Sequence, residues 1–585
     1  MFKLFRYYKT KDWLFFVAAA IMIFGQVWLE LMMPDYMAAI TKLVQTPGSQ
    51  MSDILLNGGK MLACAAGSLI SAIVVSYILS RVAATFSLVV RKALFDKVEE
   101  LDLDQAKKFS TSSLITRTTN DITQIQMVIG MGTQMLLRAP ITVIVAISKI
   151  IDKSWQWSTT TAIAVVLLLS FIGVSVTIVM PRFKKMQKLT DRLNGVTREN
   201  LTGIRVVHAF NAEKYQEEKF TRANEELTNT QLFTQRVMSL LSPMMYLVME
   251  GVSLAIYFIG AFLIEGATTD KLSVFSDMIV FSTYAMQIII SFLVLSGIFI
   301  ILPRAQVSAK RINEVLDTEI TIKNGTIKNP ETGLVGTIEF KNVSFKYPDS
   351  QDYMLKNISF KAKQGETVAI VGSTGSGKTT LVNLIERFYD ATDGEVIVDG
   401  VNVKDYKQSA LRNRIGYVPQ KPVMFDASIK ENVAYGDNGR QKADDKTIKK
   451  AIEVAQGKDF VEKMAKQYNS HIAQGGTNVS GGQRQRLAIA RAIARDPEIY
   501  IFDDSFSALD FKTDAKLRQA LRKYTKDSTS LIVAQRIGTI MHADQIIVLD
   551  EGKCVGKGTH KELMKNCSVY KQIALSQLTK QELEA

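Results

Sequence analysis

Gly372-Ser373-Thr374-Gly375-Ser376-Gly377-Lys378-Thr379 is the stretch from which the rest of the chain can be read. It fits the pattern G-x-x-x-x-G-K-[ST], the loop that wraps phosphates. The run before it, Thr367–Val371, reads as a strand, and the run after it, Leu381–Ile385, reads as a helix. Glycines let such a loop curl so that its backbone N–H groups point inward at phosphate oxygens. The helix behind adds the positive end of its dipole. In this arrangement Lys378 would reach the β- and γ-phosphates and Thr379 would hold Mg²⁺ through its hydroxyl, with Thr380 beside it. The loop therefore predicts a nucleoside triphosphate, with ATP and Mg²⁺ as the expected ligands.

At 585 residues the chain is too long for one hydrophobic core, so two or more domains are expected. Cys64, Cys554 and Cys567 have no paired spacing and join no His/Cys cluster, which argues against a zinc site or a disulfide framework. The net charge of +14 suits either nucleic acid or a membrane surface, and its placement decides between them.

Hydrophobicity is concentrated in the N-terminal half. Six apolar runs, Trp13–Met33, Leu55–Ser80, Val128–Ile151, Ser158–Met180, Leu240–Ile264 and Phe275–Leu302, each approach the ~20 residues that cross a bilayer. The first lacks a small-residue cleavage site and reads as an anchor rather than a removed signal. Basic residues gather at the N-terminus (Lys3, Arg6, Lys9, Lys11), after the second run (Arg81 to Lys108) and after the fourth (Arg182 to Arg192). The links 34–54, 152–157 and 265–274 are short and nearly balanced. By the positive-inside rule both termini are expected in the cytoplasm of a multi-pass plasma-membrane protein. This placement accounts for much of the basic excess without nucleic acid.

The inward gaps are rich in helix formers, as in Val82–Gln105 and Arg205–Arg236. Helices of ~25 residues extend ~37 Å at 1.5 Å per residue, which predicts stalks reaching into the cytoplasm. Their turns are expected near Lys107–Ser113 and Val206–Ala212, as tips that dock on the ATPase domain. Gln26, Glu30, Gln134, Arg138, Glu250 and Gln287 lie within or near the spans. Charge in a bilayer is costly and faces a cavity or a partner. Glu30 and Glu250 either meet a cationic substrate or bond between helices, and Arg138 is placed at the cytoplasmic margin.

Residues 1–317 read as a transmembrane domain of six long helices with cytoplasmic extensions. Residues 318–336 read as a linker and 337–585 as an α/β nucleotide-binding domain with a helical subdomain. Beyond the phosphate loop, the segment Val479–Arg486 opens a long helix with Ser480, Gly481, Gly482 and Gln483, and Ser480 is placed to cap it. The run Ile499–Asp503 is an apolar strand ending in an acid.

On these motifs, nearly the full chain resembles a half-transporter of the ATP-binding-cassette (ABC) exporter type. The resemblance implies that Tyr347 stacks on adenine and that Gln420 touches Mg²⁺ and the attacking water. It implies that Asp503 holds Mg²⁺ and that Ser480–Gln483 face the γ-phosphate bound to a second half-transporter. Ser507–Asp510 would contact that partner.

Two positions depart from what the family expects of a working ATPase site. Asp504 stands where Glu is expected as general base, and Gln535 where His is expected. A carboxylate one methylene shorter should fall more than ~1 Å short of the water, and an amide can neither carry charge nor relay a proton. Such a base is worth ~10²–10⁴ in rate. Gln474 replaces a usual acidic residue. The pattern resembles the degenerate-site (LmrC/EfrC-type) subunit of heterodimeric bacterial multidrug exporters, which implies a heterodimer, a small amphipathic substrate and surrounding membrane lipids, with no nucleic acid. A homodimeric lipid or peptide exporter and a non-hydrolysing regulatory subunit or channel remain alternatives.

Overall fold

The computed structural model describes residues 2–578 apart from 152, 268–270 and 440, so the tail 579–585 expected to fray lies outside the described residues. The chain divides into two compact units, residues 1–99 with 110–318, and residues 100–109 with 319–585.

Among the described residues of the first unit, six helices are long and apolar enough to cross a membrane. They are α1 (Thr10–Gln45), α2 (Met51–Glu100), α3 (Thr111–Ile150), α4 (Trp155–Thr202), α5 (Glu213–Gly266) and α6 (Lys271–Leu316). Each outruns its apolar stretch because the polar flanks are also helix formers, so spans and stalks are continuous. The long helices carry local breaks, including a π-turn over Val128–Gly132 in α3 and turns at Leu240 in α5 and Gly297 in α6. The core is built by one face from each helix, with Ile23, Val27 and Leu31 of α1 against Phe281, Tyr284 and Ile288 of α6. Opposite faces leave Leu14, Leu62, Leu169 and Phe258 exposed, the pattern of helices solvated by lipid. At one end, Lys149 pairs with Asp35 at 2.7 Å and Tyr284 donates to the same carboxylate at 2.8 Å, tying α1, α3 and α6 together. Between α4 and α5 lies a short helix, Ile204–Ala209, ending at the exposed Phe210.

The second unit is α/β. Its strands are β1 (Ile338–Phe345), β2 (Leu355–Ala362), β3 (Thr367–Gly372), β4 (Asp393–Val398), β5 (Val401–Asn402), β6 (Ile415–Val418), β7 (Ala427–Ser428), β8 (His471–Ile472), β9 (Ile499–Asp503), β10 (Thr529–Val533), β11 (Gln545–Asp550) and β12 (Lys553–Gly558). The main sheet runs β12-β11-β3-β10-β9-β6, and all neighbours in it are parallel except β11–β12. Strands β3 and β9 are buried along their lengths, so they read as apolar runs rather than alternating ones. An antiparallel sheet, β2-β1-β4-β5, packs its Phe340 and Phe360 with the main sheet and with helix α7 (Lys378–Ile385). A second cluster joins Phe502 to the helical subdomain through Leu487, Ile489 and Ile493 of α8 (Gly481–Ala494). The β11–β12 hairpin turns at Glu551 (φ 44°) and Gly552 (φ 77°), the left-handed pair that two-residue hairpins need.

The stretch 318–336 is held against this unit. Asp102 accepts from the backbone N–H groups of Thr321 and Ile322 at 2.8 and 3.0 Å, and Ile327 bridges to Tyr406. A short helix, Leu103–Lys108, belongs here too, opened by the reciprocal Asp102/Gln105 cap. That cap begins the tip ahead of the turn expected near Lys107–Ser113.

Candidate functional site

The phosphate loop leaves β3 at the carboxyl end of the parallel sheet, where ligands of open α/β folds bind. Gly375 (φ 84°) and Gly377 (φ 97°) take left-handed conformations, and a Cβ on Gly377 would lie 2.6 Å from Leu355. Between them the loop closes on itself: Lys378 Nζ donates to the carbonyls of Gly372 and Ser373 at 2.9 and 2.7 Å and lies 3.5 Å from Ser376 Oγ. Thr374 is exposed at the loop crest. Burial pushes the Lys378 ammonium below its usual range, against the pull of Asp504 and Asp503. A polyanion would supply the charge this ammonium lacks.

Thr379 and Asp503 converge from α7 and β9, with the threonine hydroxyl donating to the carboxylate at 3.1 Å. This hard oxygen pair fits Mg²⁺, which takes one or two protein oxygens and fills the rest of its shell with water and phosphate. Burial raises the pKa of Asp503 and, to the same effect, of Asp504. Asp504 has a left-handed backbone (φ 45°), which Asp accepts more readily than most residues. Its Oδ2 accepts from Gln420 Nε2 at 3.2 Å and from Gln535 Nε2 at 3.0 Å. The structure thus gathers Lys378, Thr379, Asp503, Asp504, Gln420 and Gln535 in one constellation.

Tyr347 stands at its edge. Its hydroxyl lies 2.8 Å from Thr380 Oγ1, and its ring meets Phe345 and Tyr389 edge-on at 4.9 and 5.3 Å. Lys107 of the short helix donates to the Tyr389 hydroxyl at 3.0 Å and lies 5.9 Å from the Tyr347 ring centre. The sequence places a docking tip near Lys107, but its particular partner, Tyr389, is set by no local pattern.

The Ser480–Gln483 group lies apart from the loop. Ser480 Oγ accepts from Gln483 N–H while Gln483 Oε1 accepts from Ser480 N–H, a reciprocal cap that opens α8. Among the described residues these four make no hydrogen bond with residues 372–380. Asp510 caps the helix Phe511–Tyr524, a role that its motif did not announce.

In the first unit, Glu30 bonds between helices: Arg138 reaches its two oxygens at 3.1 and 2.8 Å, Ser68 and Gln26 each at 3.0 Å. Arg138 is therefore tied to α1 by an ion pair, because a carboxylate among apolar helices needs a counter-charge. Glu250 is exposed and makes no hydrogen bond among the described residues. A cavity of about 300 Å³ adjoins Glu30 and Arg138, and an apolar one of about 90 Å³ is lined by Met180, Met238 and Met245.

A bundle of six membrane-length helices joined in one chain to a phosphate-loop α/β unit with a capped Ser-Gly-Gly helix defines a membrane transporter with its own ATPase. Residues 13–292 match the ABC transporter transmembrane region family and residues 355–507 match the ABC transporter family, so the chain belongs to the ABC transporters. It is 38% identical over 94% of its length, and 93% of the relative's, to an uncharacterized ABC transporter ATP-binding protein of Mycobacterium tuberculosis. It is 34% identical to the uncharacterized ABC transporter ATP-binding protein YfiB of Bacillus subtilis, covering 97% of each. An ATP-dependent lipid A-core flippase of Pseudomonas aeruginosa is 32% identical over 83% of this chain and 78% of its own. The fold superposes on a bacterial Atm1-family ABC exporter with ATP bound at a TM-score of 0.80 and 23% identity, covering 96% of this chain and 99% of that one. The chain is thus an ABC half-transporter, a multi-pass transmembrane region and a nucleotide-binding unit in one chain, with the fold of an ABC exporter.

Proposed function

We propose that this half-transporter pairs with a different one, and that its own phosphate-loop site holds ATP rather than turning it over quickly. The observation that carries this is the Asp504 carboxylate bonded to two amides, Gln420 and Gln535. Neither amide can take up or release a proton, so the carboxylate's two hydrogen-bond partners offer it no proton relay. Losing a positioned base costs ~10²–10⁴ in rate, or ~3–5 kcal/mol.

In this reading Gly372–Thr380 and Tyr347 bind ATP, and Thr379, Gln420 and Asp503 hold Mg²⁺. Ser480–Gln483 complete the partner's site, where a Glu and a His do the cleavage. Residues 1–317 form the translocation domain and 337–585 the nucleotide-binding domain, with both termini in the cytoplasm. The exported class is amphipathic compounds, supported by the methionine-lined apolar cavity, since Met adapts to varied ligands. A lipid-like amphiphile is the second reading, supported by the relatives named as lipid A-core flippases.

ATPase activity of the purified chain, alone and co-expressed with the product of the neighbouring reading frame, tests the pairing. The chain alone should be nearly inactive, and the complex should lose its activity when the partner's Glu becomes Gln. A robust ATPase of the chain alone that depends on Asp504 would make it a homodimeric pump instead.

A further inference from the structure

Glu30 is engaged at both oxygens and paired with a guanidinium. A carboxylate has about four lone-pair positions. Here Arg138 Nη2, Ser68 Oγ and Gln26 Nε2 crowd Oε1, and Arg138 Nη2 also reaches Oε2. The Glu30 side chain is 18% exposed, whereas that of Arg138 is 42% exposed. The same pair borders the cavity of about 300 Å³, whose wall continues through Thr142, Gln287, Ile290 and Val294. That size stands at the lower end of ligand pockets.

The donors at this cavity are unspent. Arg138 commits one nitrogen to Glu30, and its Nε and Nη1 bond to no described residue. The Gln287 side-chain amide also makes no hydrogen bond among the described residues, although its backbone carbonyl accepts from Ser291. A molecule entering the cavity therefore meets guanidinium and amide N–H groups, with the carboxylate behind them already neutralised. Donors in apolar surroundings are costly until an acceptor meets them, and a guanidinium fork matches a carboxylate or phosphate.

We infer that this cavity binds the anionic head, phosphate or carboxylate, of an amphipathic molecule. Arg138 and Gln287 donate to the head, Glu30 fixes the guanidinium, and Ile290 and Val294 take the first part of the tail. The assignment rests on the exporter of amphipathic compounds proposed above and gives the substrate a charge, opposite to the cation that Glu30 alone would suggest.

The test is binding to the full chain in phosphatidylcholine nanodiscs, by calorimetry without ATP. The probes are dodecyl phosphate, dodecyltrimethylammonium and inorganic phosphate. Dodecyl phosphate should bind saturably and weaken about tenfold or more in Arg138→Gln, as expected for loss of a charge-assisted hydrogen bond. It should weaken severalfold in Gln287→Leu and hold in Glu250→Gln. Inorganic phosphate that also binds through Arg138 would mark the free anion as sufficient, and its failure beside dodecyl phosphate would assign the site to the amphiphile. Both outcomes support the donors named here.

Should Arg138→Gln not fold, Arg138→Lys, which keeps the charge without the fork, and Gln287→Leu carry the test. Equal dodecyl phosphate affinity in the wild type and these variants overturns the assignment. So does preferential binding of the ammonium probe that Glu30→Gln abolishes, or no saturable binding of any probe. Because the readout needs no ATP, a lack of ATP-driven uptake into inside-out vesicles would count against the exporter reading alone.

Discussion

Gln535 Nε2 donates to Asp504 Oδ2 at 3.0 Å, so the two residues that depart from the family pattern are direct partners. The amide reaches a carboxylate that ends one methylene early, on a residue whose backbone is left-handed. Reversing one residue alone should therefore recover little. In a complex whose partner Glu is changed to Gln, Asp504→Glu or Gln535→His alone should leave turnover within a few-fold of its residual value. The double change should raise it at least ~tenfold, the lower part of what a positioned base contributes. Steady-state phosphate release measures this, and an unchanged rate in the double variant would mean that base reach is not what limits the site.

Tyr347 offers a sharper test of nucleotide contact. Its hydroxyl lies against Thr380 and its ring against Phe345 and Tyr389, so the two halves of the side chain can be separated by mutation. Tyr347→Phe keeps the ring and should bind ATP within about twofold of wild type. Tyr347→Ala should lose ~1–3 kcal/mol, the worth of one stacked base. Fluorescent-nucleotide titration distinguishes the two, and equal loss in both variants would assign the affinity to the hydroxyl.

The two roles ascribed to Ser480 also separate. As a cap it accepts from Gln483 N–H, and its loss to Ala should cost about 1 kcal/mol of stability. Asn restores a capping oxygen, so Ser480→Asn should melt close to wild type. Both variants should slow hydrolysis at the partner's site if the hydroxyl faces a phosphate there. Full activity in Ser480→Asn would leave Ser480 as a cap alone.

What was legible in the sequence is local. The phosphate loop, the apolar strands β3 and β9, the Ser480 cap and the six long helices each follow from residues within about twenty positions of one another. The pairings that complete the picture are not local. Glu30 and Arg138 stand on different helices, and their meeting depends on how α1 and α3 pack, which hydrophobic periodicity does not specify. From the sequence Glu30 could meet a cationic substrate or bond between helices, and its three donor side chains fit the second reading. Lys107 reaches Tyr389, 282 positions away, from a short helix opened by the Asp102/Gln105 cap.

Glu386, at the end of α7, gives a pH signature of the nucleotide-binding unit. It is buried, its Oε1 has no hydrogen-bond partner among the described residues, and burial pushes its pKa up to about 8 against Arg412 and Arg495. An unfolded Glu titrates near ~4.3. Between those values the folded state binds the extra proton, so stability is fully present below the unfolded pKa and is lost as pH rises through 8. The slope approaches one proton, or about 1.4 kcal/mol per pH unit at most. Glu386→Gln keeps the neutral shape and removes the titration. Its melting temperature, measured against wild type from pH 5 to 9, should gain steadily on wild type as pH rises and level off above 8. A difference that stays flat across that range would mean the carboxyl is charged and paired in the folded protein.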